Sequence, residues 1–155
     1  MKKEEKEKYI SLIHKYAEDI IYNDTYNTQK EYMQHGKTSV LEHELNVTLY
    51  ALKLANTLRV SVDEKSLIRG SLLHDYFLYD WHIYDASHKL HGFSHAGVAL
   101  ANASNDFELN DIEKNMIYCH MFPLNLRIPK YKESILLCLA DKIVATKETI
   151  RRKKK

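Results

Sequence analysis

Apolar residues recur every three or four positions along most of the chain, and no segment sustains a two-residue alternation, so the pattern predicts an all-α fold. Residues 3–22 set Tyr9, Ile10, Ile13, Tyr16, Ala17 and Ile20 on one helical stripe. Residues 25–34 predict a shorter, more polar helix that stops at Gly36, whose missing Cβ suits a left-handed cap. Ser39 and Glu42 have the spacing of a capping box, so a third helix begins there and runs to the region of Leu58. Its stripe of His43, Val47, Tyr50, Ala51, Leu54 and Leu58 puts a histidine in line with core residues. Asp63 caps a fourth helix in which Leu67, Ser71, His74 and Leu78 align, and Gly70 and Ser71 are small enough to admit a neighbouring helix. Over 80–93 the chain becomes polar and aromatic and loses its period, which predicts a loop of functional length. Ser94 caps a helix that extends towards Ser104, and Asn110 and Glu113 repeat the capping-box pattern before a helix that ends ahead of Pro123. The last helix starts after Pro129 and carries Ile135, Leu136, Leu139, Ala140, Ile143 and Val144. The expected architecture is a single-domain bundle of about six or seven helices.

Composition narrows this picture without changing it. At 155 residues, 45% hydrophobic, with four Gly and two Pro, the chain reads as one domain over 1–155 with one core, no linker and no repeat. Lys and Arg number 23 against 21 Asp and Glu, a formal +2 that argues against nucleic acid as a partner. The mixed charges of 1–8 and the basic tail 151–155 read as solvated helix ends. No apolar run approaches the ~20 residues that span a bilayer, and the N-terminal stretch lacks an apolar signal core, so a cytoplasmic protein without a membrane partner is expected. Cys119 and Cys138 are too few for a disulfide framework or a Cys-based zinc site and read as packing residues, with Cys119 beside His120. Tyr9, Tyr16, Tyr50 and Tyr118 sit at helical spacings, and no basic patch interleaves them as a stacking platform for nucleic acid would require.

The chemistry lies in the histidines and two aspartates. His43, His74, Asp75, His95, His120 and Asp141 each fall on a predicted helix amid apolar neighbours, where an unpaired imidazole or carboxylate would cost several kcal/mol. One such histidine alone is usually a core residue bonded to a backbone carbonyl. Six donors contributed by several helices instead form an inventory suited to two metal ions, with a carboxylate able to bridge cations about 3.5–4 Å apart. Asp75 is the natural bridge. Imidazole and carboxylate together suit iron or manganese best, with zinc, nickel or magnesium also compatible.

His43, the dipeptide His74-Asp75, and Asp141 within Leu139-Ala-Asp-Lys142 resemble the four-ligand pattern of the HD-domain superfamily of metal-dependent phosphohydrolases, and His95 and His120 resemble the two extra histidines of its dinuclear members. The resemblance covers 39–145. It implies a helical fold in which His43, His74, Asp75 and Asp141 hold one metal, while His95, His120 and a bridging Asp75 hold the second. It further implies a phosphohydrolase that cleaves a phosphoester or phosphoanhydride of a nucleotide-like substrate through water activated by the two metals. The ligand set is similar to that of the bacterial HD hydrolases that split diadenosine tetraphosphate symmetrically, and the whole chain resembles small HD phosphohydrolases of Gram-positive bacteria. Two departures matter. Tyr76-Phe77-Leu78 follows the dipeptide and no GYP signature is present, which argues against cyclic di-GMP; and Asn46 stands three residues after His43, where many nucleotide-cleaving members place an arginine.

Phosphate must then be bound elsewhere, with Lys37, Lys89, Arg127 and Lys142 as candidates. His82, His88 and His91 cluster with Trp81 and Tyr84 in the loop, and a lid that stacks on a base and contacts phosphate would use such residues. His35, His82, Lys89 and His91 are the expected substrate contacts, with His82 and Lys89 also assisting catalysis beside Asp75, while His14 and His88 read as solvated. Two other functions share this ligand list. Dinuclear-iron HD oxygenases resembling myo-inositol oxygenase use the same four His and two Asp, and a nucleotide-binding HD module would sense without turnover. The sequence leaves the oligomeric state open, a homodimer included.

Overall fold

A computed structural model describes residues 1–35, 38–79 and 91–153, the side chains of 35, 91–94 and 151–153 excepted. Among these residues the elements are α1 (Lys3–Ile21), α2 (Asp24–Asn27), a 3-10 turn (Thr28–Glu31), β1 (Met33–His35), β2 (Thr38–Ser39), α3 (Val40–Thr57), α4 (Glu64–Leu72), α5 (His91–Asp106), α6 (Asp111–Cys119) and α7 (Lys132–Lys153). Helix starts follow from the caps in the sequence. The Ser39 hydroxyl accepts from the Glu42 amide at 3.2 Å, and Asp63 Oδ1 accepts from the Ser66 amide at 2.6 Å. Asn110 and Glu113 close a full capping box, with bonds of 2.9 and 3.0 Å.

Helix α3 lies at the centre, packed against α4 and α7, while α4 also meets α1 and α6. Their inward stripes form one core of Ala17, Ile20, Val47, Ala51, Leu67, Ile68, Leu72, Met116, Ile117 and Leu137. Each large side chain buried this way contributes about 1.5–3 kcal/mol. Gly70 acts as the sequence predicts: a Cβ there would lie 2.7 Å from Met116 Sδ, so its absence sets how closely α6 approaches α4. No helix among the described residues is long and apolar enough to cross a membrane.

The structure corrects four expectations. Residues 25–34 are not one helix. The Asn27 amide folds back onto the carbonyls of Ile21 and Asn23 at 3.0 and 2.9 Å, α2 ends after a single turn, and the chain continues into an antiparallel ribbon pairing Met33 with Ser39 and His35 with Thr38. Gly36 lies outside the described residues. Secondly, α4 stops at Leu72, so His74 and Asp75 occupy the turn that follows instead of the helix. Thirdly, α5 begins at His91, three residues ahead of Ser94, because a first turn whose amides face outward needs no apolar stripe to mark it. The rest of the expected loop, residues 80–90, lies outside the described residues. Finally, Ile135 and Leu139 are exposed, because α7 turns Leu136, Leu137, Ala140 and Val144 inward.

Candidate metal centre

The packing of α3 against α7 brings His43, in the first turn of α3, against Asp141 on α7, with 98 residues between them in the chain. The turn after α4 adds His74 and Asp75, α5 adds His95, and His120 caps the C-terminus of α6. On a helix two adjacent residues point about 100° apart. In the turn that ends α4, His74 and Asp75 both face the same interior pocket, between Leu72-Leu73 and Tyr76-Phe77, which are themselves buried.

The donors fall into two groups, His43 with His74 and Asp141, and Asp75 with His95 and His120, each spanning no more than 4.8 Å. His43 Nε2 lies 3.2 Å from Asp141 Oδ1, and His74 Nε2 lies 3.9 Å from the same oxygen. Asp75 is divided between the groups: Oδ2 is 3.5 Å from His74 Nε2 and 3.8 Å from His43 Nε2, while Oδ1 is 3.2 Å from His95 Nε2 and 3.4 Å from His120 Nε2. A cation about 2.0–2.2 Å from each donor leaves neighbouring donors at separations of this size.

Outer partners orient the rings. His74 Nδ1 donates to the Ser71 carbonyl at 2.7 Å, His120 Nδ1 to the Ile117 carbonyl at 2.8 Å, and His43 Nδ1 to Glu148 Oε2 at 2.8 Å. With the proton held on Nδ1, each Nε2 turns its lone pair into the pocket, the form that binds a metal. Burial pushes His74 down to about 4, reinforced by His120 and His43 and opposed by Asp75 and Asp141, so this ring stays neutral. For His43, burial is outweighed by hydrogen bonds to Asp141 and Glu148, and the ring is held up to about 10. Burial also works against the carboxylates, yet the surrounding imidazoles hold Asp141 down to about 2 and Asp75 well below its ordinary range. Two buried carboxylates kept in the charged state, and a neutral imidazole beside them, are the protonation states that ligation requires.

Two atoms test the fit directly. His74 Nε2 and Asp75 Oδ1 are buried and have no hydrogen-bond partner among the described residues. Buried polar atoms left this way cost about 1–3 kcal/mol each, and a cation in the pocket would satisfy both. The residues present therefore fit a divalent metal.

Three pocket residues escape sequence reading. Gln34 on β1 is buried and its Nε2 donates to Asp75 Oδ2. Only the ribbon brings it there, so a helical reading of 25–34 hides it. Glu148 backs His43, and Asn46 Nδ2 donates to Glu148 Oε1 at 3.1 Å. The seven-residue interval from Asp141 to Glu148 on one helix is the signal that could have found the second.

Of the phosphate candidates, Lys142 Nζ donates to the carbonyls of His120 and Cys138 at 3.2 Å each, closing the end of α6. Arg127 stacks its guanidinium on the Tyr118 ring, 3.7 Å from the centroid. His82, His88, Lys89, Trp81, Tyr84 and Lys37 lie outside the described residues, as do the side chains of His35 and His91. Both cysteines are free and buried, Cys138 donating to the Cys119 carbonyl at 3.4 Å, in keeping with a packing role.

Searches of curated proteins and of solved structures returned no match to this chain. The model of the HD domain family matches residues 40–146, a span that contains all six donors. Seven α-helices among the described residues and two His/Asp groups able to hold metal agree with that match, and the chain belongs to the HD domain family.

Proposed function

We propose that this chain is a metal-dependent phosphohydrolase that cleaves a phosphoester or phosphoanhydride of a nucleotide-like substrate at a centre for two divalent cations, iron or manganese in first place. The observation that carries the reading is the division of Asp75, whose two oxygens face the two donor groups at 3.2–3.8 Å. A carboxylate in that position bridges two cations. The cations, when bound, lower the pKa of a water between them and draw charge from a phosphoryl oxygen, which makes a Ser or Cys nucleophile unnecessary.

The chain's own residues do the rest. His43, His74 and Asp141 hold one cation site, His95 and His120 the other, and the backbone carbonyls of Ser71 and Ile117 fix the tautomers of His74 and His120. Gln34, donating to Asp75 Oδ2, fixes the carboxylate plane so that each oxygen keeps to its own group. Burial of the donors excludes bulk water and strengthens their electrostatic effect on a phosphoryl group. His35, His82, Lys89 and His91 are proposed to bind the substrate, with His82 and Lys89 neutralising charge on the leaving group. Asn46, committed to Glu148, is not assigned to phosphate.

Protein reconstituted with manganese or, anaerobically, ferrous iron is to be assayed against nucleoside mono-, di- and triphosphates and a symmetrical dinucleoside tetraphosphate. Release of phosphate or of a nucleoside phosphate, lost on chelation and restored by metal, is the expected result. Absence of turnover across the panel with two equivalents bound would overturn the reading.

A further inference from the structure

The side of His43 that faces away from the donor groups is held by a carboxylate outside the six-residue inventory. Glu148 lies seven residues after Asp141, two turns along the same face of α7, and is buried. Its Oε2 accepts from His43 Nδ1 at 2.8 Å and its Oε1 accepts from Asn46 Nδ2 at 3.1 Å. Asn46 stands three residues after His43, so α3 offers two donors on one face and α7 offers Asp141 and Glu148 opposite them. The imidazole is thus gripped at both nitrogens by carboxylates of a single helix, with Asp141 Oδ1 3.2 Å from Nε2.

We infer that Glu148 is a positioning residue of the metal centre, acting through His43, and that Asn46 holds Glu148 in place. A charged acceptor at Nδ1 makes Nε2 a better electron donor and fixes the plane of the ring, which a backbone carbonyl does less strongly. The arrangement also accounts for Asn46, whose amide has both its position and its partner set by this task. If the contact served only to join α3 to α7, an apolar pair would do so without the desolvation of a carboxylate. The inference rests on the two-cation reading, and it concerns the site of His43, His74 and Asp141 alone.

Glu148→Gln keeps an acceptor for His43 and removes the charge. Chelator-stripped wild type and variant are to be titrated with manganese, following free Mn²⁺ by electron paramagnetic resonance, alongside thermal unfolding of the stripped proteins. The variant is expected to bind one equivalent about 10–100-fold more weakly, keep the other equivalent unchanged, and unfold at nearly the wild-type temperature. Asn46→Ala is expected to shift the same equivalent by a smaller factor, and to add less than about twofold on top of Glu148→Gln, because it acts through that carboxylate. Unchanged binding of both equivalents by folded Glu148→Gln overturns the inference, as does a loss shared equally by both. Should Glu148→Gln fail to fold, Asn46→Ala decides by the same criteria. A wild type that binds a single equivalent overturns the two-cation reading, and the wild-type to variant ratio for that equivalent then judges Glu148 separately. A wild type that binds none overturns both.

Discussion

Two buried clusters of ionisable groups sit in this small bundle, and they are built on opposite terms. In the first, Arg69 on α4 is almost fully enclosed, and its guanidinium reaches Asp19 on α1 at 2.5 Å, Glu113 on α6 at 3.3 Å and the Glu108 carbonyl at 3.3 Å. Each of its nitrogens has a protein partner, and the cluster joins three helices. In the second, four histidines and two aspartates converge, and His74 Nε2 and Asp75 Oδ1 find no hydrogen-bond partner among the described residues. A buried charge compensated by protein groups is architecture. One left with its lone pairs facing a common point awaits a ligand.

Exchanging one group in each cluster should separate the two roles most sharply. Asp75→Asn is expected to lower hydrolysis by more than about 100-fold and to reduce bound metal, with the helical circular dichroism preserved. Arg69→Leu should do the reverse, destabilising by about 3–5 kcal/mol in urea titrations because Glu113 is left buried without its cation, while metal stoichiometry stays at the wild-type value. If Arg69→Leu loses metal in its folded state, the clusters are not independent.

Removal of metal gives the next largest effect. A cation at 100 times its dissociation constant stabilises the folded chain by about 2.7 kcal/mol, so chelation should lower the midpoint of thermal unfolding by several degrees, reversibly on re-addition. Asp75→Asn should show little of this response, and an equal response in that variant would argue that metal binds elsewhere.

The smallest expected effect tests how complete the compensation around Arg69 is. Burial raises the proton affinity of Glu113, against the Asn110 backbone amide and the Arg69 charge. A carboxyl whose folded pKa lies above its unfolded value of 4.5 binds more protons when folded, so its contribution to stability falls as pH rises above that value. Relative to wild type, Glu113→Gln should therefore gain stability from pH 4 to 7, by on the order of 1 kcal/mol. Parallel stability profiles of the two proteins would show that Arg69 neutralises Glu113 fully.

The sequence exposed the helices well because their caps and stripes are local. Ser39, Asp63 and the Asn110-Glu113 box act within one turn, and the stripes of α1 and α3 follow from their own spacing. It failed on 25–34, where Asn27 turns its amide back to two carbonyls and the chain leaves the helix for a ribbon whose Gln34 reaches Asp75. It also extended α4 through His74, since Leu72-Leu73 and Tyr76-Phe77 are buried on every side and carry no period that could reveal a turn.

The sequence alone settled the kind of chemistry, because four histidines and two aspartates set among apolar residues admit few explanations other than metal. It could not divide them into two groups, split Asp75 between those groups, or bring Gln34, Asn46 and Glu148 to the pocket. Those are contacts between elements up to 105 residues apart. Local periodicity reports which side of a helix faces inward, and only the packing of α3, α7 and the turn after α4 determines what that side meets.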